Sequence, residues 1–261
     1  MGVAGLLEGK ALPSLEPAKL AALATKLCDR HFGVGADGLI VAAHAQKPGA
    51  ALDFLYFNAD GSRAEMCGNG IRCYALFALD KGYVVEREFT VSTLAGPIRP
   101  RVNADRSVTV DMGPPVQEPA RVPFIAQDAY APGPSPSQLR LDDGRTLRLW
   151  PVGMGNPHCI VFQDLQDAPL DPAVDGPMLE KHPAFPAKTN VEFVRQVDAT
   201  TFDVVVWERG CGFTLACGTG ACATTVAARL AGKLQGIRAT VRLPAGRWPS
   251  SGRATHRPRC R

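Results

Sequence analysis

One stretch of this chain occurs twice at an offset of 150 residues, and that repeat limits the fold more than any other feature. Ala64-Glu65-Met66-Cys67-Gly68-Asn69-Gly70-Ile71-Arg72-Cys73 is echoed by Thr214-Leu215-Ala216-Cys217-Gly218-Thr219-Gly220-Ala221-Cys222. The same offset lays Asp53-Phe54-Leu55-Tyr56-Phe57-Asn58 over Asp203-Val204-Val205-Val206-Trp207-Glu208. Each block reads as a strand, a glycine-bearing loop, a Cys-Gly-x-Gly turn and a helix. The expectation is two halves of similar build, each supplying one thiol at the start of a helix.

The segments around the repeat support an α/β (α+β) chain. Leu20, Leu23, Ala24 and Leu27 recur at helical spacing and end at His31-Phe32-Gly33, where a glycine stop is expected. Gly33-Val34-Gly35-Ala36-Asp37-Gly38 matches G-x-G-x-x-G, but it follows a helix and leads into the strand-like Leu39-Ile40-Val41-Ala42. A dinucleotide site needs strand before helix, so that reading is rejected. Prolines crowd the stretch from Gly113 to Pro136, which divides the chain into halves at 1–113 and 114–261. In the second half Asp143-Gly144 forms a hairpin turn, Gly153 to His158 a loop, and Met178-Leu179-Glu180 part of a short helix. Cys159 to Phe162, Val191 to Val194 and Ala239 to Leu243 read as strands.

Composition narrows the function. With 261 residues, 46% hydrophobic and 21% charged, the chain matches a soluble globular protein of two ordinary domains, and its apolar runs fall short of the ~20 residues of a membrane span. The opening meets Glu8 before an apolar core develops, so no secretory signal is read and a cytoplasmic location is expected. The eight cysteines are too unevenly placed for a disulfide framework and lack zinc spacing, so thiols and no metal are expected. The net charge of +4 depends on five arginines between Arg247 and Arg261, without which the balance is −1. No basic stripe interleaved with aromatics remains, which argues against nucleic acid.

A free thiol titrates near ~8.5, and a helix N-terminus favours its anion. Cys67 and Cys217 both hold that position, and the N–H groups of Gly68-Asn69 and Gly218-Thr219 suit a carboxylate. Two such turns on one substrate would place a thiol on each face of the carbon beside its carboxylate. A thiolate could then remove the α-proton from one face while a thiol returned one on the other. Cys28, Cys73, Cys159 and Cys222 fall on helical or strand faces and read as packing, Cys211 as a loop thiol and Cys260 as part of the tail. His158 stands in a loop where an imidazole could assist proton movement. Glu208 precedes Cys217 as Asn58 precedes Cys67.

Four ordered motifs resemble the diaminopimelate epimerase family: Asn58-Ala59-Asp60-Gly61-Ser62, Met66 to Cys73, Gly155-Asn156-Pro157-His158, and Glu208-Arg209-Gly210-x-Gly212 with Ala216 to Gly220. The resemblance covers about 16 to 245. It implies two pseudo-symmetric domains, each a mixed sheet or barrel of strands around a central helix. It also implies cofactor-independent conversion of LL-diaminopimelate to the meso form in lysine and peptidoglycan-precursor synthesis, without pyridoxal phosphate. By it Cys67 and Cys217 are the acid and base, with His158 and Glu208 beside the thiols. Asn58, Asn156, Asn190 and Arg209 would read the distal amino-acid end of the substrate, Gly68, Asn69, Gly218 and Thr219 the reacting end, and Glu208 would count among the substrate-binding residues as well as lying beside the thiols. The partner expected is that small molecule, with no nucleic acid and no membrane, and a homodimer is the assembly considered.

At two places the chain departs from the family pattern. Met1 to Leu15 carries no His-Gly-x-Gly-Asn-Asp-Phe stretch, and from Arg247 the sequence reads as an irregular basic tail. A truncated, inactive homologue is therefore the competing reading from another class. A proline or hydroxyproline epimerase is the competing enzyme, although Asn69 replaces that group's usual histidine and such a substrate would leave Asn156, Asn190 and Arg209 without a group to bind.

Overall fold

The computed structural model describes residues 16–127, 134–251 and 259–260. The chain forms two compact units, Met1–Val110 and Asp111–Arg261, so the division falls three residues before the one expected from the prolines. The expected departure at Met1 to Leu15 lies outside the described residues.

The first unit opens with α1 (Pro17–Cys28), which buries Leu20 and Ala24 against Leu39, Val41 and Phe57. Then follow β1 (Gly38–His44), β2 (Leu52–Asn58), the short β3 (Arg63–Ala64), α2 (Gly68–Asp80), β4 (Val91–Thr93), β5 (Gly96–Val102) and β6 (Val108–Asp111). The sheet order is β1-β2-β4-β5-β6, with β3 folded back on β2. The β2 and β4 strands are parallel, so α2 makes the crossover between them. One face of α2 is buried through Ile71, Tyr74, Ala75 and Ala78. The Tyr74 ring meets Phe54 edge-on at 5.3 Å, and its hydroxyl donates to the Asp53 carbonyl at 3.0 Å.

The second unit contains β7 (Ser137–Arg140), β8 (Thr146–Gly153), β9 (Pro157–Phe162), α3 (Pro172–Glu180), β10 (Asn190–Gln196), β11 (Thr201–Glu208), β12 (Gly212–Thr214), α4 (Gly218–Leu230), β13 (Arg238–Leu243), β14 (Gly246–Ser251) and β15 (Arg259–Cys260). Its strand order is β15-β14-β13-β11-β10-β9-β8-β7, with β12 on β11. Here α4 is central: every residue from Gly218 to Ala228 is buried. That buried stretch is built from Ala, Gly, Thr, Cys and Val, and such small side chains allow strands to approach from several directions. A second layer of core, including Leu139, Leu149, Val161, Phe185 and Phe193, lies under α3.

The repeat governs pairing as well as sequence. Leu52 stands opposite Val91 as Phe202 stands opposite Val241, and Val91 opposite Ile98 as Val241 opposite Trp248. Every one of these positions is shifted by the same 150 residues. The register also corrects the expected irregular tail. Gly246–Ser251 is a strand, paired along its whole length with β13. Trp248 and Ser250 point into the core, whereas Arg247 and Pro249 point out. A proline and two serines hid a strand whose alternation rests on one aromatic residue.

Candidate functional site

Each unit carries one cysteine turn. In the first, β2 runs to Asn58 and turns through Asp60-Gly61, where Gly61 has φ +83°. A side chain at Gly61 would stand 2.9 Å from the Ala21 carbonyl of α1, so only glycine lets the turn settle on that helix. Asn58 Nδ2 donates to Ser62 Oγ at 2.9 Å, and Asp60 Oδ1 accepts from the Ser62 N–H at 2.8 Å. Cys67 then caps α2. Its backbone is extended (φ −134°, ψ 113°) and its sulfur accepts the Gly70 N–H at 3.3 Å. The cysteine is half-buried and Asn69 is buried beside it.

The second turn copies the first. Cys217 caps α4 with φ −135° and ψ 109°, and its sulfur accepts the Gly220 N–H at 3.3 Å. The surroundings differ. Cys217 is buried, and its sulfur lies 3.4 Å from Thr219 Oγ1. Asn156 Nδ2 lies 3.4 Å from that hydroxyl, Asn156 Oδ1 lies 2.9 Å from His158 Nε2, and His158 Nδ1 lies 2.7 Å from Glu192 Oε1. Both His158 and Glu192 are fully buried. The structure thus brings Asn156, His158 and Thr219 together around Cys217, with His158 in the interior of the sheet on β9.

Burial pushes the Cys217 thiol up, and the carboxylates of Glu208 and Glu192 push in the same direction, against hydrogen bonds from Thr219 and Gly220. This reverses the direction expected from a helix N-terminus alone. Removing the thiol from water while two carboxylates stand nearby outweighs the helix dipole.

The Glu208 to Gly212 turn is held at three consecutive amides. Arg209 N–H donates to Asn190 Oδ1 at 2.9 Å, Gly210 N–H to Glu180 Oε1 at 3.0 Å, and Cys211 N–H to the Glu208 carbonyl at 3.0 Å. Asn190 Nδ2 also donates to the Pro157 carbonyl at 2.9 Å, so this buried amide ties the start of β9 to the Arg209 turn. Glu180 Oε2 accepts the Trp207 Nε1–H at 2.9 Å. The guanidinium of Arg209 reaches the Ala187 carbonyl at 3.3 Å.

Sequence reasoning missed Glu192 and Glu180. A charged residue inside the apolar strand Val191-Glu192-Phe193-Val194 was the available signal, because a fully buried carboxylate needs a partner. Among the remaining cysteines, Cys28 and Cys159 are buried and Cys211 is exposed. Cys222 is buried and disulfide-bonded, where a packing thiol was expected. Among the described residues, no group of three or more His, Cys, Asp or Glu could hold a metal ion.

The family model for diaminopimelate epimerase matches residues 11–118 and 151–256. The chain is 46% identical over 239 residues to a diaminopimelate epimerase of Microcystis aeruginosa, covering 89% of this chain and 82% of that one. It is 48% identical over 252 residues to one of Desulforudis audaxviator, covering 92% and 85%. A solved hydroxyproline epimerase from Agrobacterium vitis shares the fold with a TM-score of 0.66 at 16% identity, covering 94% of this chain and 80% of that one. A phenazine biosynthesis protein of the PhzF family from Bacillus anthracis gives 0.60 at 13%, covering 95% and 86%. With four motifs in order, two equally capped cysteines and matches of this extent, the chain belongs to the diaminopimelate epimerase family.

Proposed function

We propose that this protein is an isomerase that converts LL-diaminopimelate to meso-diaminopimelate, using the Cys67 and Cys217 sulfurs as base and acid. The observation that carries this reading is the duplicated cap: two cysteines 150 residues apart, each with its sulfur 3.3 Å from the third amide of its helix. A thiolate takes the α-hydrogen as a proton, the electron pair passes into the adjacent carboxylate, and a thiol protonates the carbon from the opposite side. The two sulfurs exchange protonation states over one turnover. N–H groups at the helix starts stabilise the charge that develops on the carboxylate.

Asn58, Asn156, Asn190 and Arg209 are assigned to the distal amino-acid end of the substrate, and Gly68, Asn69, Gly218 and Thr219 to the reacting end. Glu208 and His158 serve the thiols. No pyridoxal phosphate or metal is required by this chemistry. The proposed setting is the cytoplasm, in lysine and peptidoglycan-precursor synthesis; among the described residues, no helix is long and apolar enough to cross a membrane. The test is incubation of reduced protein with LL-diaminopimelate and chiral chromatography of the product. Meso product is expected, and a folded sample that yields none, or that racemises proline instead, would contradict the proposal.

A further inference from the structure

Behind the two cysteine turns the repeat carries a chemical mismatch. In β1 Ile40 stands opposite Tyr56, and in β10 Glu192 stands opposite Val206, the residue 150 positions after Tyr56. Both side chains lie over the third residue of the cysteine turn: a Cβ on Gly70 would meet Ile40 Cδ1 at 2.6 Å, and a Cβ on Gly220 would meet Glu192 Oε1 at 2.6 Å. The second thiol therefore has a buried carboxylate at the site where the first has a methyl group. Glu192 Oε2 is buried with no hydrogen-bond partner, so its Oε1 contact with His158 Nδ1 is the one that holds the side chain.

Building on the function proposed above, we infer that Glu192 is a positioning residue that sets the direction of a hydrogen-bond chain through His158, Asn156 and Thr219 to the Cys217 sulfur. The donors can align in two senses. When Nδ1 alone carries the imidazole proton, it donates to Glu192 and Nε2 must accept. With the Asn156 carboxamide turned end for end from the arrangement above, its NH2 then donates to Nε2, its oxygen accepts from Thr219, and the Thr219 oxygen accepts from a Cys217 S–H. When both ring nitrogens are protonated, Nε2–H donates to the Asn156 oxygen, the amide donates to Thr219, and the Thr219 O–H points at a Cys217 thiolate. A proton on the His158–Glu192 pair and a proton on Cys217 thus exclude each other. Behind Gly70 the same position holds Ile40, which cannot titrate.

The titratable groups around this chain are Glu192 on β10, His158 and Cys159 on β9, and Glu208 on β11. The Glu192 carboxylate is one of the charges that push the Cys217 thiol up, so its removal is read at Cys217. Isotope-labelled cysteine NMR of the reduced full-length protein, followed through an alkaline pH series, reads each thiol separately. Glu192→Gln should move the Cys217 midpoint down by about one unit and leave Cys67 in place. An unmoved Cys217, or equal movement of both thiols, would overturn the inference. In epimerisation assays kcat should fall roughly tenfold with KM within about twofold, because the buried Glu192 does not touch substrate. Unchanged turnover would refute the positioning role, whereas a wild-type protein inactive on diaminopimelate would refute only the proposed function, since the thiol titration does not need substrate. If the Gln variant does not fold, labelled-histidine NMR of the wild type at alkaline pH decides. An Nδ1–H tautomer for His158 is expected, and an Nε2–H tautomer would overturn the chain.

Discussion

Glu192 Oε1 occupies the space that a side chain on Gly220 would need, 2.6 Å from where its Cβ would stand. The carboxylate cannot swing aside without leaving His158. At the equivalent place in the first unit the nearest atom to a Cβ on Gly70 is the tip of Ile40, and the contact with the cysteine sulfur, 3.3 Å there and 3.2 Å at Gly220, is common to both. Gly220→Ala should therefore destabilise by about 1–3 kcal/mol through overpacking of a fixed charged group. Gly70→Ala should cost less, because an isoleucine end can rotate away. Urea unfolding of both variants checks this, and equal effects would show that the carboxylate is not fixed.

Glu180 controls the turn that carries Glu208 and Arg209. Its two oxygens accept from Gly210 N–H and Trp207 Nε1–H. An amide offers one acceptor and turns an NH2 group toward the other donor, so Glu180→Gln should lose about 1–3 kcal/mol of stability. Because Arg209 is assigned to the distal end of the substrate, the same variant should raise KM for diaminopimelate more than it lowers kcat. Steady-state kinetics beside thermal melts would separate the two effects.

Alkaline stability follows from the buried thiols. Cys217 is pushed up by burial and then by Glu208 and Glu192, and Cys159 by burial and then by Glu192. A thiol whose folded-state pKa is raised binds its proton more tightly in the native protein. Its contribution is complete below the unfolded value of ~8.5 and is lost as pH rises from there through the folded value. Urea midpoints should therefore fall with pH in that range, and the fall should be shallower in a Cys159→Ala, Cys217→Ala double variant. An equally steep fall would assign it to other groups.

Much of this was legible in the sequence, and the limits have physical causes. The cysteine turns were readable because Cys-Gly-x-Gly after a strand and a glycine loop leaves few local alternatives. Their offset carries over unchanged into the pairing of Leu52 with Val91 and Phe202 with Val241. Strand β14 was missed because Pro249 and Ser250 break the apolar alternation, although the offset places Gly246 over Gly96, where β5 begins. Glu192 and Glu180 were missed because periodicity treats charge as a sign of solvent. Both ends of the Asn190 amide also hold main chain, a role that depends on two segments distant in sequence and that no local pattern reveals.

The central claim is that two thiols, one in each unit, move the α-proton of diaminopimelate. It is tested most directly by incubating wild type, Cys67→Ala and Cys217→Ala with LL-diaminopimelate in heavy water and following deuterium at the α-carbon by mass spectrometry. The account predicts deuterated meso product from the wild type and no epimerisation by either variant. Full turnover by either cysteine variant would contradict it.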